Sequence, residues 1–409
     1  MFFKNKKILI TGISGFVGLS LARYLLRQEA IVYGFDKKEV APDNISQDIT
    51  SALHFISGDI RDISNLNKAI ELTKPDFIFH LAAYSNDTTS FTSPLEVVEI
   101  NSLGTANLLE AVRINNIDCK VVFAGSSEEY GLVISSEEQL MRIIDQYGSI
   151  FPRPYRIPEL PINEENPLRP ISPYGVSKLH GEYLMRNYYH SYGIKTVISR
   201  GFNHEGAGRG PMFVTSVITN QVMNISRGNT DKISIGNVSA LRDWSHVEDI
   251  VRGYCLLAEK GENGGVYNQG SQRTNSVLSY ILLCLEEAGY IIDRIETFSG
   301  GKRVENPTQI DNLDVFGVNF KKTRIDRMLL NKELDYTIED KGLSVFTIRG
   351  KILIEFIKTR FRPSEVPVIL SDISKIKSLG FTPSYTLKDI IRDQLNSIKD
   401  TRKMHEVHG

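Results

Sequence analysis

The chain has 409 residues, and 41% of them are hydrophobic, so it can bury a large core in one α/β unit or in two lobes. Its 48 Lys and Arg residues balance its 49 Asp and Glu residues, so no net charge draws the whole protein to nucleic acid or to an anionic membrane. The three cysteines, Cys119, Cys255 and Cys284, are odd in number and far apart, which fits neither a disulfide framework nor a zinc site and indicates reduced core residues.

The amino-terminal segment MFFKNKKILITG has basic residues but no apolar stretch of the signal-peptide kind before the first strand. No run reaches the length of about 18 apolar residues that a bilayer span needs. We therefore expect a cytoplasmic protein that binds neither membrane nor nucleic acid and holds no metal.

Short β-rich runs alternate with stretches of helical periodicity over the first half of the chain. In order, they are the strand KKILIT, a helix at 15–28, the strand IVYGF, a helix at 62–73, the strand DFIFHLAA, a helix at 94–115, the strand KVVFA, a helix at 173–192 and the strand KTVISR. Because the strands are apolar on both faces, the pattern predicts a parallel sheet covered by helices, a doubly wound α/β fold of the Rossmann type.

Beyond residue 200 the pattern loosens. Helical periodicity returns at 212–227, 274–288 and 386–398, a late strand is predicted at VYNQG, and a charged, irregular region is expected from about 300 to 360. We assign residues 1–200, with about 240–270, to the dinucleotide-binding sheet domain. Residues of about 201–239 and 271–409 are assigned to a smaller mixed α/β lobe that binds the substrate.

A glycine-rich turn, ILITGISGFVG, joins the first strand to the first helix. Gly12, Gly15 and Gly18 have the spacing that lets the chain turn tightly and brings the amino end of the helix against a pyrophosphate. Such a pattern alone is weak evidence, and a purely structural turn explains it equally well.

Asp36 ends the second strand about 20 residues beyond the glycines, where a carboxylate accepts hydrogen bonds from the adenosine ribose. The same carboxylate repels a 2′-phosphate, so NAD is favoured over NADP, although Lys37 or Lys38 could neutralise a phosphate. Asp59 ends another strand and suits the adenine edge, with a helix N-cap as the alternative. The other expected contacts along the dinucleotide are Phe16, Val17, Ile60, Leu81, Ala82 and Ala83.

The segment SPYGVSKLHGEY places Tyr174 and Lys178 four residues apart on a helix that Ser172 or Pro173 begins. At that spacing the two side chains share a face. A neighbouring ammonium stabilises a phenolate, which makes Tyr174 a candidate acid and base. An isolated YxxxK pattern would more often be chance on an amphipathic helix.

The glycine-rich turn, the Tyr and Lys pair and the segment GSSEEYG after strand five together resemble the extended short-chain dehydrogenase/reductase family. That family uses a Ser or Thr, a Tyr and a Lys with a bound nicotinamide, and Ser126 falls on the Ser/Thr position. The segments SSEEYG, RGFNHEGAGRGPMFVTS, ALRDWSHVEDIV and RPSEVPVILSD narrow the resemblance to GDP-mannose 4,6-dehydratases and related GDP-sugar reductases. Glu128 matches the glutamate that removes the C5 proton in these dehydratases and assists loss of the C6 hydroxyl.

The resemblance implies further binding residues. Asn101 is expected to orient the cofactor-side network, unless it only packs within its helix, and His204 is expected beside the cofactor. The substrate candidates are Ser85, Ser127, Asn203, Arg209, Arg242, Arg362 and Glu365. Arginines suit a nucleotide diphosphate because the planar guanidinium pairs with phosphate oxygens. Alternatively, Arg242 forms a surface ion pair with Asp243, and Arg362 lies on an uninvolved loop.

Several features depart from the dehydratase pattern. The loop between Tyr130 and Tyr174 is longer than usual, and Ser216 and Val217 stand where Arg and Lys are common. The segment KKEVAPDNISQD does not resemble the subunit-bridging loop of NADP-dependent relatives, which agrees with NAD and with a helix-packed homodimer. The leading hypothesis is an NAD-dependent nucleotide-sugar 4,6-dehydratase for a GDP-linked sugar. The rivals are a 4-epimerase or 4-keto reductase of the same family and a non-catalytic dinucleotide-binding scaffold.

Overall fold

The computed structural model describes residues 1–38, 52–85, 90–361 and 366–407, with side chains as far as 399. It divides into two units. The first comprises Met1–Phe202, Val247–Gly270 and Ser371–Pro383, and the second comprises Asn203–His246, Ser271–Leu370 and Ser384–Gly409.

The strands are β1 Lys7–Thr11, β2 Ile31–Asp36, β3 His54–Ser57, β4 Phe77–His80, β5 Lys120–Ser126, β6 Lys195–Gly201, β7 Asn203–Glu205, β8 Lys232–Ile235, β9 Leu241–Arg242, β10 Trp244–His246, β11 Val266–Gln269, β12 Asn275–Ser276, β13 Ile292–Thr297, β14 Arg303–Glu305, β15 Ile310–Val315, β16 Val318–Thr323, β17 Gly342–Thr347 and β18 Gly350–Phe356.

The helices are α1 Phe16–Arg27, α2 Ile63–Thr73, α3 Pro94–Val97, α4 Gly104–Ile114, α5 Glu137–Tyr147, α6 Pro173–Tyr192, α7 Val214–Ser226, α8 Val247–Lys260, α9 Val277–Glu287, α10 Arg324–Leu330, α11 Ser374–Ser378 and α12 Leu387–Val407. A π-helical segment, Val98–Leu103, connects α3 to α4. Short 3₁₀ turns cover Ser127–Glu129, Ile338–Asp340 and Lys358–Arg360.

In the described part of the first unit, seven parallel strands form one sheet in the order β11-β6-β5-β4-β1-β2-β3. Side chains alternate between its two faces: Ile8 and Ile10 pack with α1, α8 and α11, whereas Leu9 packs with α2, α4 and α6. The inner strands β1, β4, β5 and β6 are buried on both sides, as a parallel sheet between two helix layers requires, whereas the edge strand β3 is more exposed. The predicted Rossmann-type fold is confirmed.

The second unit has its own core and its own sheet, in the order β14-β13-β17-β18-β8, with a separate hairpin of β15 and β16. The expectation of an irregular region at 300–360 is wrong, because β14 to β18 and α10 together occupy more than half of it. In β18 the charged residues Lys351 and Glu355 flank three apolar residues, and only alternate side chains from Ile352 onward are buried, which masks the strand pattern.

Three other expectations need correction. The segment 371–383 belongs to the first unit rather than to the second lobe, because Ile373, Ile376 and Phe381 pack into the core with α1 and α8. Residues 240–246 belong to the second unit, where Ala240 and Trp244 join the core. The insertion after Tyr130 is also not a simple loop, since it contains α5.

The three cysteines are free and buried. None of the helices in the described ranges combines the length and apolar character that a bilayer crossing demands. The same ranges hold no group of three or more His, Cys, Asp or Glu side chains arranged to bind a metal ion.

Candidate active site

The glycine-rich turn between β1 and α1 is shaped by close backbone approach. Gly12 has a φ of +75°, and a Cβ there would lie 2.6 Å from the Ala82 nitrogen. A Cβ on Gly18 would collide with the Gly12 carbonyl oxygen. No side chain caps α1 at Gly15, so the amino end of the helix retains the anion-binding character that suits a pyrophosphate.

The end of β2 carries the groups that would meet an adenosine ribose. Asp36 Oδ2 accepts a hydrogen bond from the Ser14 N–H at 3.0 Å, which ties the acid to the glycine-rich turn. Lys37 Nζ lies 3.2 Å from Asp59 Oδ2, so this lysine is already paired with a carboxylate. These residues fit the ribose end of a bound dinucleotide.

Asp59 is engaged by neighbouring cations. Arg61 donates to it from Nη2 at 2.7 Å, and this interaction, aided by Lys37 and opposed by desolvation, lowers the pKa of Asp59 to about 2. The residue that caps α2 is Asp62, whose carboxylate accepts the Ser64 N–H, so the N-cap alternative for Asp59 is wrong. An adenine contact from Asp59 stays a prediction.

Asn101 links two parts of the first unit. Its Oδ1 accepts the Tyr84 N–H at 2.7 Å, and its Nδ2 donates to Ser177 Oγ at 2.8 Å. It therefore fixes the loop after β4 to α6, one residue before Lys178. The other predicted dinucleotide contacts surround this region: Phe16 and Val17 begin α1, Ile60 follows β3, and Leu81, Ala82 and Ala83 follow β4. Ser85 is exposed at the end of the same loop.

Ser126 ends β5 and begins a 3₁₀ turn, Ser127–Glu129, which we call the catalytic turn. Ser126 Oγ accepts the Glu128 N–H at 3.2 Å, and Glu129 Oε1 accepts the Ser126 N–H at 2.7 Å, a reciprocal capping box. Ser127 and Glu128 are partly exposed on this turn. Glu128 is therefore neither buried in the core nor directed fully into solvent.

The amino end of α6 packs directly against the catalytic turn. Ser172 caps the helix by accepting the Gly175 N–H at 3.0 Å, and a Cβ on Gly175 would lie 2.6 Å from the Glu128 carbonyl oxygen. Lys178 Nζ donates to the Ala124 carbonyl at 2.7 Å, on the strand that ends in Ser126. The fold thus brings the segments that carry Ser126, Glu128, Tyr174 and Lys178 together.

Lys178 is 4% exposed, and its Nζ lies 5.8 Å from the centre of the Tyr174 ring. Burial lowers the pKa of this ammonium to about 8. A lysine in this position carries a charge at neutral pH that it loses in mildly alkaline solution. It can stabilise a phenolate on Tyr174 while charged.

The second unit holds the remaining candidates. Asn203 and His204 lie in β7, and Asn203 Oδ1 is buried without a hydrogen-bond partner in the described ranges. The Arg209 guanidinium stacks 3.4 Å from the centre of the Phe213 ring, and its Nε is 3.4 Å from Glu205 Oε2.

Arg242 Nη1 donates to the carbonyls of Leu241 and Val366 at 2.9 Å. Asp243 is buried and accepts the Ser271 N–H at 2.9 Å. Because this acid is not at the surface, it does not form the surface ion pair that was the alternative role for Arg242. Arg362 and Glu365 lie outside the described residues.

Sequence reasoning missed a buried charged cluster behind the catalytic turn. Glu129, Glu182 and Arg200 are each at most 2% exposed, and Arg200 pairs with Glu182 through Nε at 2.8 Å and Nη2 at 2.7 Å. Arg200 Nη1 also donates to the Tyr130 hydroxyl at 2.9 Å. The available signal was a second acid beside Glu128, directly after a strand that is otherwise apolar.

Known proteins resemble this chain in sequence, and solved structures resemble it in fold. The model of the NAD dependent epimerase/dehydratase family matches residues 8–270. A GDP-mannose 4,6-dehydratase of Yersinia enterocolitica is 31% identical over 98% of this chain and 95% of its own length. A GDP-mannose 4,6-dehydratase of Vibrio cholerae is 30% identical over 99% of this chain and 98% of its own length.

Solved structures agree on the fold. A UDP-glucose 4-epimerase from Thermotoga maritima, solved with UDP-glucose, superposes with a TM-score of 0.66 at 22% identity and covers 97% of this chain and 99% of its own. The protein RMD from Pseudomonas aeruginosa, solved with NADPH, has a TM-score of 0.65 at 21% identity and covers 97% and 100%. With its nucleotide-binding turn, its Ser, Tyr and Lys constellation and these relatives, the chain belongs to the NAD-dependent epimerase/dehydratase family, in the branch of the GDP-mannose 4,6-dehydratases, and it is an enzyme.

Proposed function

We propose that this enzyme uses NAD to convert a GDP-mannose-type sugar nucleotide into its 4-keto-6-deoxy product. The observation that carries the proposal is the presence of Glu128 on the catalytic turn, whose backbone packs against the helix that bears Tyr174 and Lys178. Oxidation at C4 needs Ser126, Tyr174 and Lys178. An additional acid and base is needed only when water is also eliminated.

The proposed chemistry follows from these groups. A bound nicotinamide dinucleotide supplies reversible hydride transfer, which lets C4 be oxidised first and C6 be reduced last. Tyr174 removes the O4 proton, with the Lys178 ammonium stabilising the phenolate. Beside the resulting ketone the C5 proton is acidic, and Glu128 abstracts it and returns it to the C6 hydroxyl, which leaves as water. When C6 is then reduced, C5 regains one proton, which balances the proton that Tyr174 took from O4.

The choice of NAD over NADP rests on the end of β2. A carboxylate at Asp36 repels a 2′-phosphate, and Lys37 is paired with Asp59 and so is not available to offset that repulsion. The neighbour solved with NADPH differs from this chain at about four residues in five, so its cofactor does not transfer directly. The residues of this chain at the end of β2 favour NAD over NADP.

The nucleotide is proposed to be GDP, supported by the printed names of the relatives that cover nearly the whole chain. Arg209 and Arg242 in the second unit are the proposed diphosphate ligands, together with Arg362 and Glu365 from outside the described residues. Asn203, Ser85 and Ser127 are proposed polar contacts to the substrate, and His204 is a proposed contact to the cofactor. A cytoplasmic location is part of the proposal, supported by the free, buried cysteines.

Product analysis tests the proposal. Incubation with GDP-mannose and NAD, without added reductant, is expected to give a sugar nucleotide lighter by one water that carries a 4-keto group. An isomer of unchanged mass would establish an epimerase, and consumption of a reduced cofactor would establish a 4-keto reductase. Binding of NAD without turnover of GDP- or UDP-linked hexoses would favour the non-catalytic scaffold, although a scaffold has no use for Ser126, Glu128, Tyr174 and Lys178 together.

A further inference from the structure

The catalytic turn contains two adjacent acids in opposite environments. Glu128 is partly exposed, whereas Glu129 is fully buried beneath it. Glu129 Oε1 accepts the backbone N–H of Ser126 at 2.7 Å, so this acid holds the residue that begins the turn. A Cβ on Gly125 would lie 2.6 Å from the same oxygen, so the strand end is shaped to admit it.

The second carboxyl oxygen of Glu129, Oε2, lies near Glu182 and Arg200 in the buried cluster. Glu129 Oε2 receives a hydrogen bond from no donor among the described residues, and the nearest cation, Arg200 Nε, is 3.6 Å away. Arg200 directs its two short hydrogen bonds to Glu182 instead. The carboxyl groups of Glu129 and Glu182 contact each other, and two buried carboxyl groups in contact need a proton between them.

The charges that face Glu129 come from every element packed against it. Glu182 and Lys178 lie on α6, and Arg200 lies on β6. The titratable hydroxyl group of Tyr130 belongs to the residue that follows the catalytic turn. Burial and the Glu182 carboxylate raise the pKa of Glu129 well above its usual range, more than Arg200 lowers it. Burial raises the pKa of Glu182, but its hydrogen bonds with Arg200 prevail and leave that pKa lowered. The proton therefore resides on Glu129.

We propose that Glu129 is a positioning residue for the dehydration: an uncharged acid that donates its proton to Glu182 and, through the Ser126 N–H, holds Ser126 and Glu128 at the reacting sugar. This role rests on the proposed function of those two residues. The positive charge of Arg200 is then balanced by the negative charge of Glu182. The Lys178 ammonium, which lies beside Tyr174, keeps a positive charge that no ionised Glu129 offsets. An ionised Glu129 would stabilise that ammonium directly and weaken its effect on the phenolate.

Three substitutions separate this proposal from a purely structural role. In Glu129→Gln the amide oxygen can still accept the Ser126 N–H and the NH₂ can still donate to Glu182, so kcat is expected to stay close to that of the wild type. Glu129→Leu fills the space but makes neither hydrogen bond. With the turn released, its kcat per folded enzyme is expected to fall about 10- to 100-fold while KM changes little. Glu129→Asp is too short to reach both partners and is expected to behave like Glu129→Leu.

The protonation state has a readout that needs no substrate. Infrared difference spectroscopy between the wild type and Glu129→Gln is expected to show the C=O stretch of a protonated carboxyl group at neutral pH, carried by the wild type. Because this band does not depend on turnover, its absence would overturn the proposal even if dehydration is established, and its presence would survive a failure of the proposed dehydration.

The kinetic outcomes are equally decisive. A Glu129→Gln variant as impaired as Glu129→Leu would mean that the carboxylate charge is required, which contradicts an uncharged acid. A Glu129→Leu variant with wild-type kcat and only a lower melting temperature would reduce Glu129 to a core residue. If Glu129→Leu does not fold, the comparison of Glu129→Gln with Glu129→Asp and the infrared band still decide.

Discussion

At the scale of single residues, neighbouring identical side chains acquire different chemistry from burial and from the charges around them. Glu128 and Glu129 are both glutamates of one 3₁₀ turn, but the first is partly exposed on the turn and the second is enclosed by Glu182 and Arg200. A partly solvated carboxyl group can ionise and accept a proton from a substrate carbon, whereas an enclosed one beside another acid retains its own. The two side chains therefore suit proton transfer and positioning, respectively.

Glu128→Gln tests the first of these roles. The amide cannot abstract the C5 proton, so elimination is expected to slow by about 10²- to 10⁴-fold, while oxidation at C4 is retained. A transient rise in absorbance of the reduced cofactor on mixing with GDP-mannose, without the later appearance of product, is the expected trace. Wild-type rates of dehydration in this variant would remove Glu128 from the mechanism.

Lys178 predicts a pH dependence. Burial lowers the pKa of its ammonium from 10.5 to about 8, so the group is charged below about pH 8 and neutral above it. Because the charged form stabilises the Tyr174 phenolate, the rate of C4 oxidation is expected to decline as the pH rises through about 8. In Lys178→Met the rate is expected to be lower by about 10²-fold or more, without that decline.

The same shift has the opposite sign for stability. Between about pH 8 and 10.5 the unfolded chain binds the Lys178 proton and the folded chain does not, so the contribution of Lys178 to the free energy of unfolding rises with pH in this window. A wild-type activity decline in that window therefore cannot be attributed to unfolding through Lys178. An alkaline decline near pH 8 that persists in Lys178→Met would contradict the assignment.

At the scale of elements, the helix that carries Tyr174 and Lys178 was the most predictable. Its range, Pro173–Tyr192, coincides with the prediction, because Ser172 caps it, proline occupies its first position and Gly193 ends it at a φ of +70°. Strands β15 and β16 carried no comparable signal: in VNFKKT the polar Asn319 and Lys321 are exposed, but the next residue, Lys322, is buried, so polarity does not follow burial.

The catalytic turn also shows how far local sequence predicts the structure. Its capping box joins residues three apart and can be read from the segment SSEE. The pairing of Glu129 with Glu182 and Arg200 joins three separate elements, so it depends on the parallel order of β5 and β6 and on the packing of α6. Local sequence determines the turn, whereas the charge state of its second acid requires the tertiary structure.

Gly175→Ala tests whether contact between α6 and the catalytic turn is needed for activity. The new Cβ would lie 2.6 Å from the Glu128 carbonyl oxygen, so the helix and the turn must separate, at a cost of about 1–3 kcal/mol in the free energy of unfolding. A displacement of this size is expected to lower kcat by about 10- to 100-fold.

Gly201→Ala on β6 is the matched control, because the nearest atom to its Cβ would be at an ordinary 3.7 Å, and its kcat and stability are expected to change little. Equal effects of the two substitutions would show that the losses come from helix or strand backbone and not from the contact with Glu128.

At the scale of the whole molecule, three separate stretches of chain build the unit that carries the glycine-rich turn and the proposed catalytic residues, and three others build the second unit. Each unit has its own sheet and its own hydrophobic core. The helices α3, α4 and α6 cover one side of the first unit and pack against each other there. Large apolar side chains remain exposed on these helices and on the π-helical segment between α3 and α4, namely Leu95, Val98, Leu103, Ile114, Val176 and Tyr183.

This surface leads us to expect a homodimer in which α3, α4 and α6 of two copies pack together. Large apolar side chains that remain exposed on helices packed against each other are typical of an interface between protein chains. Leu103 is 50% exposed and Tyr183 is 55% exposed, so a glutamate at either position costs the folded subunit little but would place charges inside the proposed interface. Leu103→Glu and Tyr183→Glu are therefore expected to convert a dimer into a folded monomer.

Light scattering coupled to size-exclusion chromatography measures the outcome directly, because the mass of the wild type should be twice that of the chain. Leu72→Glu provides the control: this side chain is 69% exposed on α2, outside the proposed interface, and its substitution should leave the mass unchanged. If Leu72→Glu dissociated the protein while Tyr183→Glu did not, the interface would have to be sought around α2. Retention of turnover by the monomer would further show that the catalytic residues of the first unit work without a partner.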